Sequence, residues 1–128
     1  MPQVTFRGTV FSGNGEGKKF IDLPWVKRQI QEKLGYTPYS GTLNLHLTKE
    51  SQQKKKLLEK AEKFEIKPEE GYCTGILVRA FLDGLDCAVI VPKVRGYPGD
   101  VLEVIAACSL RERCRLQDGS AVSVKVSV

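Results

Sequence analysis

Three groups of residues in this sequence have types and spacings suited to chemistry. The first is Gly13-Asn14-Gly15-Glu16-Gly17, followed by Lys18 and Lys19. Glycines let backbone N–H groups approach phosphate oxygens without interference from a Cβ, and the lysines could add charge. The segment fits neither the GxxxxGK[ST] nor the GxGxxG spacing, so on its own it is better read as a flexible hairpin or loop. The second group is Thr42 and Asn44. Two residues apart on a strand, they leave the same face with Cα atoms about 6–7 Å apart. A hydroxyl and an amide oxygen at that spacing could meet on one hard cation such as Mg²⁺, whose charge substrate phosphates would balance. From these two residues alone, the polar outer face of a barrel strand is the favoured reading. The third is Glu103, which interrupts the apolar run Val101–Ala107. A carboxylate among buried neighbours needs a partner: a ligand N–H or O–H, or an Arg or Lys in a structural salt bridge.

Other chemistries lack their parts. There is one histidine, His46, and the four cysteines (Cys73, Cys87, Cys108, Cys114) include no CxxC pair. Closed Cys/His zinc sites and Ser-His-Asp catalysis are therefore disfavoured. Cys73 and Cys87 lie in apolar runs and read as reduced thiols. Lys and Arg number 20 against 15 Asp and Glu, a net charge of +5. That excess allows nucleic acid, an anionic membrane or a phosphorylated small molecule. Lys54, Lys55 and Lys56 read as a solvated helix face. Arg111, Arg113 and Arg115 read as mostly solvated, although Arg111 adjoins the Glu103 strand. No apolar run approaches a membrane span, and MPQVTFRGTV lacks the pattern of a secretory leader, so a cytoplasmic protein is expected.

The elements that must position these residues are mostly strands. Residues 4–11 alternate and predict a half-buried strand running into the glycine segment. A helix is expected next, capped by Asp22, with Pro24 in its first turn, Leu23, Val26, Ile30 and Leu34 at helical spacing, and Gly35 at its end. A strand is predicted from Thr42 to Thr48, then a helix over 51–64 with Leu57, Leu58, Ala61 and Phe64 inward. Strands over 72–82 and 85–92 flank the hairpin signal Asp83-Gly84. Lys93–Gly99 is a loop, Val101–Ala107 a strand, Leu110–Leu116 a helical turn, and the valines from Val122 to Val128 a last strand. Strands without regular βαβ alternation predict a mainly β fold, a small closed barrel with peripheral helices.

Taken together, these segments resemble the archaeal-type CTP-dependent riboflavin kinases. The resemblance rests on Gly8 with GNGEGKKF at 13–20, LGYTPYSGTLNL at 34–45, and VPKVRGYPGDVLEVIAACSLRERCRLQDGSAVSVKV at 91–126. It spans nearly the whole chain and implies one domain, residues 1–128, with a barrel of the cradle-loop type. It implies an Mg²⁺-dependent transfer of a phosphoryl group from CTP to the 5′-hydroxyl of riboflavin, giving FMN and CDP. Nucleotide contacts would come from Gly13, Asn14, Gly15, Glu16, Gly17 and Lys18, and from Cys108, Ser109, Leu110 and Arg111. Thr42 and Asn44 match the metal ligands. Glu103 matches a flavin-contacting glutamate, and is the one candidate to take the hydroxyl proton. Arg95, a candidate flavin contact by position, stands where a family member carries a flavin-contacting threonine, and Ala107 where proline is familiar. A monomer is expected, with no membrane or nucleic-acid partner. Two rival readings are a nucleic-acid-binding barrel, for which clustered surface aromatics are missing, and a flavin or nucleotide sensor without turnover.

Overall fold

The computed structural model describes residues 2–128. Seven strands form one antiparallel sheet: β1 (Gln3–Phe11), β2 (Leu43–Leu47), β3 (Lys63–Ile66), β4 (Gly75–Leu82), β5 (Leu85–Pro92), β6 (Val101–Ala106) and β7 (Ala121–Ser127). Their order is β3-β4-β5-β6-β2-β1-β7, and a further pairing of β4 with β7 closes six of them into a barrel. β3 adds to the free part of β4, pairing Lys63–Ile66 with Val78–Gly75. This is the closed β-barrel with peripheral helices that the strand pattern predicts. Closure leaves those six strands without a long open edge.

Alternation along the strands sorts the side chains into two cores. Val4, Phe6, Leu43, Leu45, Leu102, Val104, Val124 and Val126 point into the barrel. A second cluster lies outside it, where Ile66, Leu77, Ala88, Ile90 and Ile105 meet Ile21, Trp25, Val26, Ile30 and Leu34. Each fully buried aliphatic there contributes about 1.5–3 kcal/mol. β5 is buried on both faces, so Cys87–Ile90 is a continuous apolar run. The β4–β5 hairpin turns at Asp83 and Gly84, both with positive φ, as a type I′ turn requires.

The helices depart from expectation in three ways. The glycine segment itself enters a helix, α1 (Glu16–Ile21), and a second helix, α2 (Pro24–Leu34), follows after a break. Asp22 closes α1 instead of capping α2, whose N-cap is Leu23 with no side-chain hydrogen bond. Pro24 forces that break, because a proline cannot continue the preceding turn. Over 51–64, helix α3 (Lys49–Lys54) passes into a 3-10 segment (Lys55–Lys60), and the chain turns extended at Ala61. Phe64 therefore lies in β3, on the same face as buried Ile66. The two-residue spacing of Phe64 and Ile66 is a strand signal, and it outweighs the helical spacing upstream. Among the strands, β4 begins at Gly75 instead of 72. Gly35, with φ 83°, ends α2 as the sequence implies.

Candidate active site

β2 and β6 pair so that Asn44 sits opposite Glu103. Leu43, Leu45, Leu102 and Val104 take the inner face, so Thr42, Asn44 and Glu103 project outward. They are on the barrel's outer face, yet half-buried, because the glycine segment folds across them. A Cβ added at Gly13 would lie 2.5 Å from Asn44 Nδ2. One added at Gly17 would lie 2.5 Å from Thr42 Oγ1 and 2.8 Å from Glu103 Oε1. Glycine is needed there for closeness. At Gly15, the N-cap of α1 with φ 89°, it is needed for conformation.

The three outward side chains form one network. Thr42 Oγ1 lies 2.7 Å from Asn44 Oδ1 and 3.1 Å from Glu103 Oε1. The Tyr97 hydroxyl donates to Glu103 Oε2 at 2.5 Å. Glu103 thus accepts from Tyr97 and shares the single Thr42 proton with Asn44 Oδ1, and among the described residues no Arg or Lys makes the salt bridge that sequence alone left open. Burial first, and then the bond to Glu103, pushes the Tyr97 phenol well above its usual range.

Three cavities converge on Thr42. The largest, about 830 Å³, lies under the glycine segment and includes Gly13 to Lys18, Thr42, Asn44, Tyr97, Glu103 and Arg111. A second, about 360 Å³, runs past Tyr39 and Thr42 to Cys108, Ser109, Leu110 and Arg111. The third, about 370 Å³, is walled by Phe20, Ile21, Ile90, Pro92 and Val94, with Thr42, Tyr97 and Glu103 at its polar end. The arrangement combines a polar trough floored by oxygen atoms with an apolar slot. A polyanion and a flat apolar molecule could lie side by side there, meeting at Thr42 and Glu103.

All the residues singled out at 13–18, 42–44, 103 and 108–111 line these cavities. Ser109 accepts from the Glu112 amide and caps the short helix α4 (Leu110–Arg113). The Leu110 side chain is buried in the barrel core, so its backbone is the part facing the cavity. Arg95 is elsewhere, exposed on the turn after β5 and outside the cavity lining. The residue that sequence reasoning missed is Tyr97. Its only signal was its place in RGYPGD, just before the Glu103 strand.

Two expectations about cations change. Arg111 is tethered, donating to Asp118 Oδ1 at 2.8 Å and lying 3.2 Å from Ser12 Oγ and 3.3 Å from the Phe11 carbonyl. The run Lys54–Lys56 is no uniform solvated face: Lys54 pairs with Glu50, while half-buried Lys55 donates to the Val101 carbonyl at 2.9 Å. His46 is exposed as expected, stacked on Phe11 with ring centroids 3.8 Å apart.

Hydrogen bonds from Arg111, and then from Ser12, hold the Asp118 carboxyl below the usual carboxylate range. A depressed carboxyl contributes fully above its ordinary pKa of about 4 and is lost as pH falls through the lower folded value. Arg111 tethering should therefore persist at neutral pH and fail only in acid. Asp118→Asn is expected to loosen the Arg111 guanidinium at neutral pH and to abolish the acid transition of the tether, as read from the pH dependence of the Arg111 side-chain NMR signal.

A closed antiparallel barrel with a glycine segment packed on an oxygen-lined trough defines the class: a small β-barrel protein with a candidate ligand trough and no P-loop spacing. Comparison with known proteins narrows it. The family model CTP-dep_RFKase, described as "Domain of unknown function DUF120", matches residues 10–126. A riboflavin kinase of Archaeoglobus fulgidus is 38% identical over 130 residues, covering 96% of this chain and 54% of that protein. One from Ignicoccus hospitalis is 34% identical, covering 96% of this chain and 71% of that protein. One from Pyrobaculum arsenaticum is 37% identical, covering 93% and 59% respectively. The chain belongs to the CTP-dependent riboflavin kinase family. It spans about half the length of the Archaeoglobus relative.

Proposed function

We propose that this chain transfers the γ-phosphoryl group of CTP to the 5′-hydroxyl of riboflavin, giving FMN and CDP. The observation that carries this reading is the approach of Gly13 and Gly17 onto Asn44, Thr42 and Glu103. It joins a phosphate-sized trough, a hard-oxygen pair and an apolar slot in one site. The family membership and the relatives named riboflavin kinase support the same reaction.

The glycine backbone and Lys18 receive the phosphates, and Cys108–Arg111 receive the rest of the nucleotide. Phe20, Ile21, Ile90, Pro92 and Val94 enclose the flavin ring, with Glu103 at its polar edge. The charged side chains lining the trough are Lys18, Arg111, Glu16 and Glu103, which cancel formally. The protein therefore leaves the triphosphate's charge to a cation. The oxygens of Thr42 and Asn44, 2.7 Å apart and facing the trough, suit Mg²⁺ held jointly with phosphate. When bound, that ion neutralises phosphate charge and polarises the transferring group.

The ribityl oxygen forms a bond to the γ-phosphorus, the bond from that phosphorus to the β-bridging oxygen breaks, and the hydroxyl proton is released. Rate acceleration comes from alignment, because the reactants are held on either side of Thr42 and Glu103. Glu103, held between the trough and the slot, is the carboxylate assigned to accept the proton. Incubation with riboflavin, Mg²⁺ and either CTP or ATP is expected to give FMN with CTP as the better donor. Absence of FMN with every nucleoside triphosphate would overturn the assignment.

A further inference from the structure

Glu103 owes its orientation to a residue in the preceding loop, and that residue is itself clamped. Tyr97 gives its hydroxyl proton to Glu103 Oε2 at 2.5 Å. Its ring belongs to the walls of both the phosphate trough and the apolar slot. Lys55 Nζ sits 5.5 Å from the centre of that ring and donates to the carbonyl of Val101, two residues before Glu103 on the same strand face. The loop is pinned at its ends: Tyr97 N–H bonds to the Val94 carbonyl at 3.2 Å, and Leu47 N–H to the Asp100 carbonyl at 2.7 Å. Burial lowers the Lys55 pKa and the Asp100 charge opposes that shift.

We infer that Tyr97 is a positioning residue: clamped by Lys55, it fixes the Glu103 carboxylate and forms the partition between donor and acceptor subsites. The inference rests on the proposed flavin site for its functional consequence. Its physical basis is independent. A carboxylate with one oxygen on Thr42 and the other on Tyr97 has lost its rotational freedom about the terminal torsion. Hydrogen bonds to an ionised acceptor are also the strong class. A phenol on a rigid ring sets that orientation at low entropic cost. The Lys55 ammonium over its face holds the ring through a cation–π contact. Glu103 then meets the acceptor already oriented.

Tyr97→Phe keeps the ring and removes the donor. It is expected to raise the riboflavin Kd, read by quenching of flavin fluorescence, about 10-fold. The KM for riboflavin should rise in parallel, while the KM for CTP stays within about two-fold, because the glycine segment is untouched. Lys55→Met keeps the apolar stem and should move the same two quantities less. Combined with Tyr97→Phe it should add little, since both act through one carboxylate. A Tyr97→Phe variant with unchanged flavin affinity, or with equal losses for flavin and nucleotide, would overturn the inference.

A second readout separates this from the functional assignment. The side-chain carboxyl ¹³C resonance of Glu103 should shift in Tyr97→Phe without any ligand. If the wild-type protein fails to bind riboflavin, the assignment of the reaction falls while that shift still supports the positioning role. An unmoved resonance would remove the positioning role even in an active enzyme.

Discussion

Replacing Gly17 with alanine is expected to lower riboflavin phosphorylation by about 10²-fold or more while leaving the barrel folded. Two effects oppose each other at this position. Gly17 is the second residue of α1, where alanine is preferred over glycine by up to about 1 kcal/mol. A Cβ there would sit 2.5 Å from Thr42 Oγ1, 2.8 Å from Glu103 Oε1 and 3.0 Å from Thr42 Cγ2. Overpacking of that kind costs about 1–3 kcal/mol. α1 can relieve the clash by lifting away from the barrel, since only Ile21 of its residues is buried. The net stability change is therefore small, while the trough geometry is not kept. Thermal unfolding close to wild type with lost turnover is the expected pair of results. Full activity would mean that α1 need not sit against Thr42 during the reaction.

The double variant Thr42→Ala with Asn44→Ala is expected to lose about 10²–10³-fold in metal-dependent turnover. Both side chains are only half-buried and face the trough, so their removal leaves the inner core of Leu43, Leu45 and Leu47 intact. Glu103 would lose the Thr42 hydroxyl but keep Tyr97. The loss should be partly offset by raised Mg²⁺ concentration if the pair binds the ion. A deficit independent of Mg²⁺ would assign the pair to orienting Glu103 instead. A folded, fully active double variant would contradict both roles.

The barrel is largely legible in the sequence. Val4, Phe6 and Val10, Leu43, Leu45 and Leu47, and the terminal valines alternate with a period of two, and Asp83-Gly84 names its own turn. The errors cluster where local signals conflict. Pro24 reads as a first-turn residue, which is correct, but its ability to cut one helix from another depended on whether Glu16–Ile21 packed as a helix first. Ile21 made that possible by burying itself in the outer cluster. Phe64 fitted a helical stripe equally well, and pairing with Leu77 in β4 decided the matter.

For the site, residue types and order alone determined the candidates: a glycine segment, a Thr/Asn pair and an isolated glutamate. What they could not determine was that the three are one object. Asn44 and Glu103 are separated by nearly half of the chain and meet through the register of β2 and β6. The glycine segment is brought over them by the packing of α1 and α2 on the outer core. Tyr97 became visible only there, because a hydrogen bond between a loop phenol and a strand carboxylate leaves no periodic trace in sequence. Composition and local periodicity encode which face of each element is apolar. The meeting of polar atoms from four segments depends on strand register and helix seating, which are settled by the whole core at once.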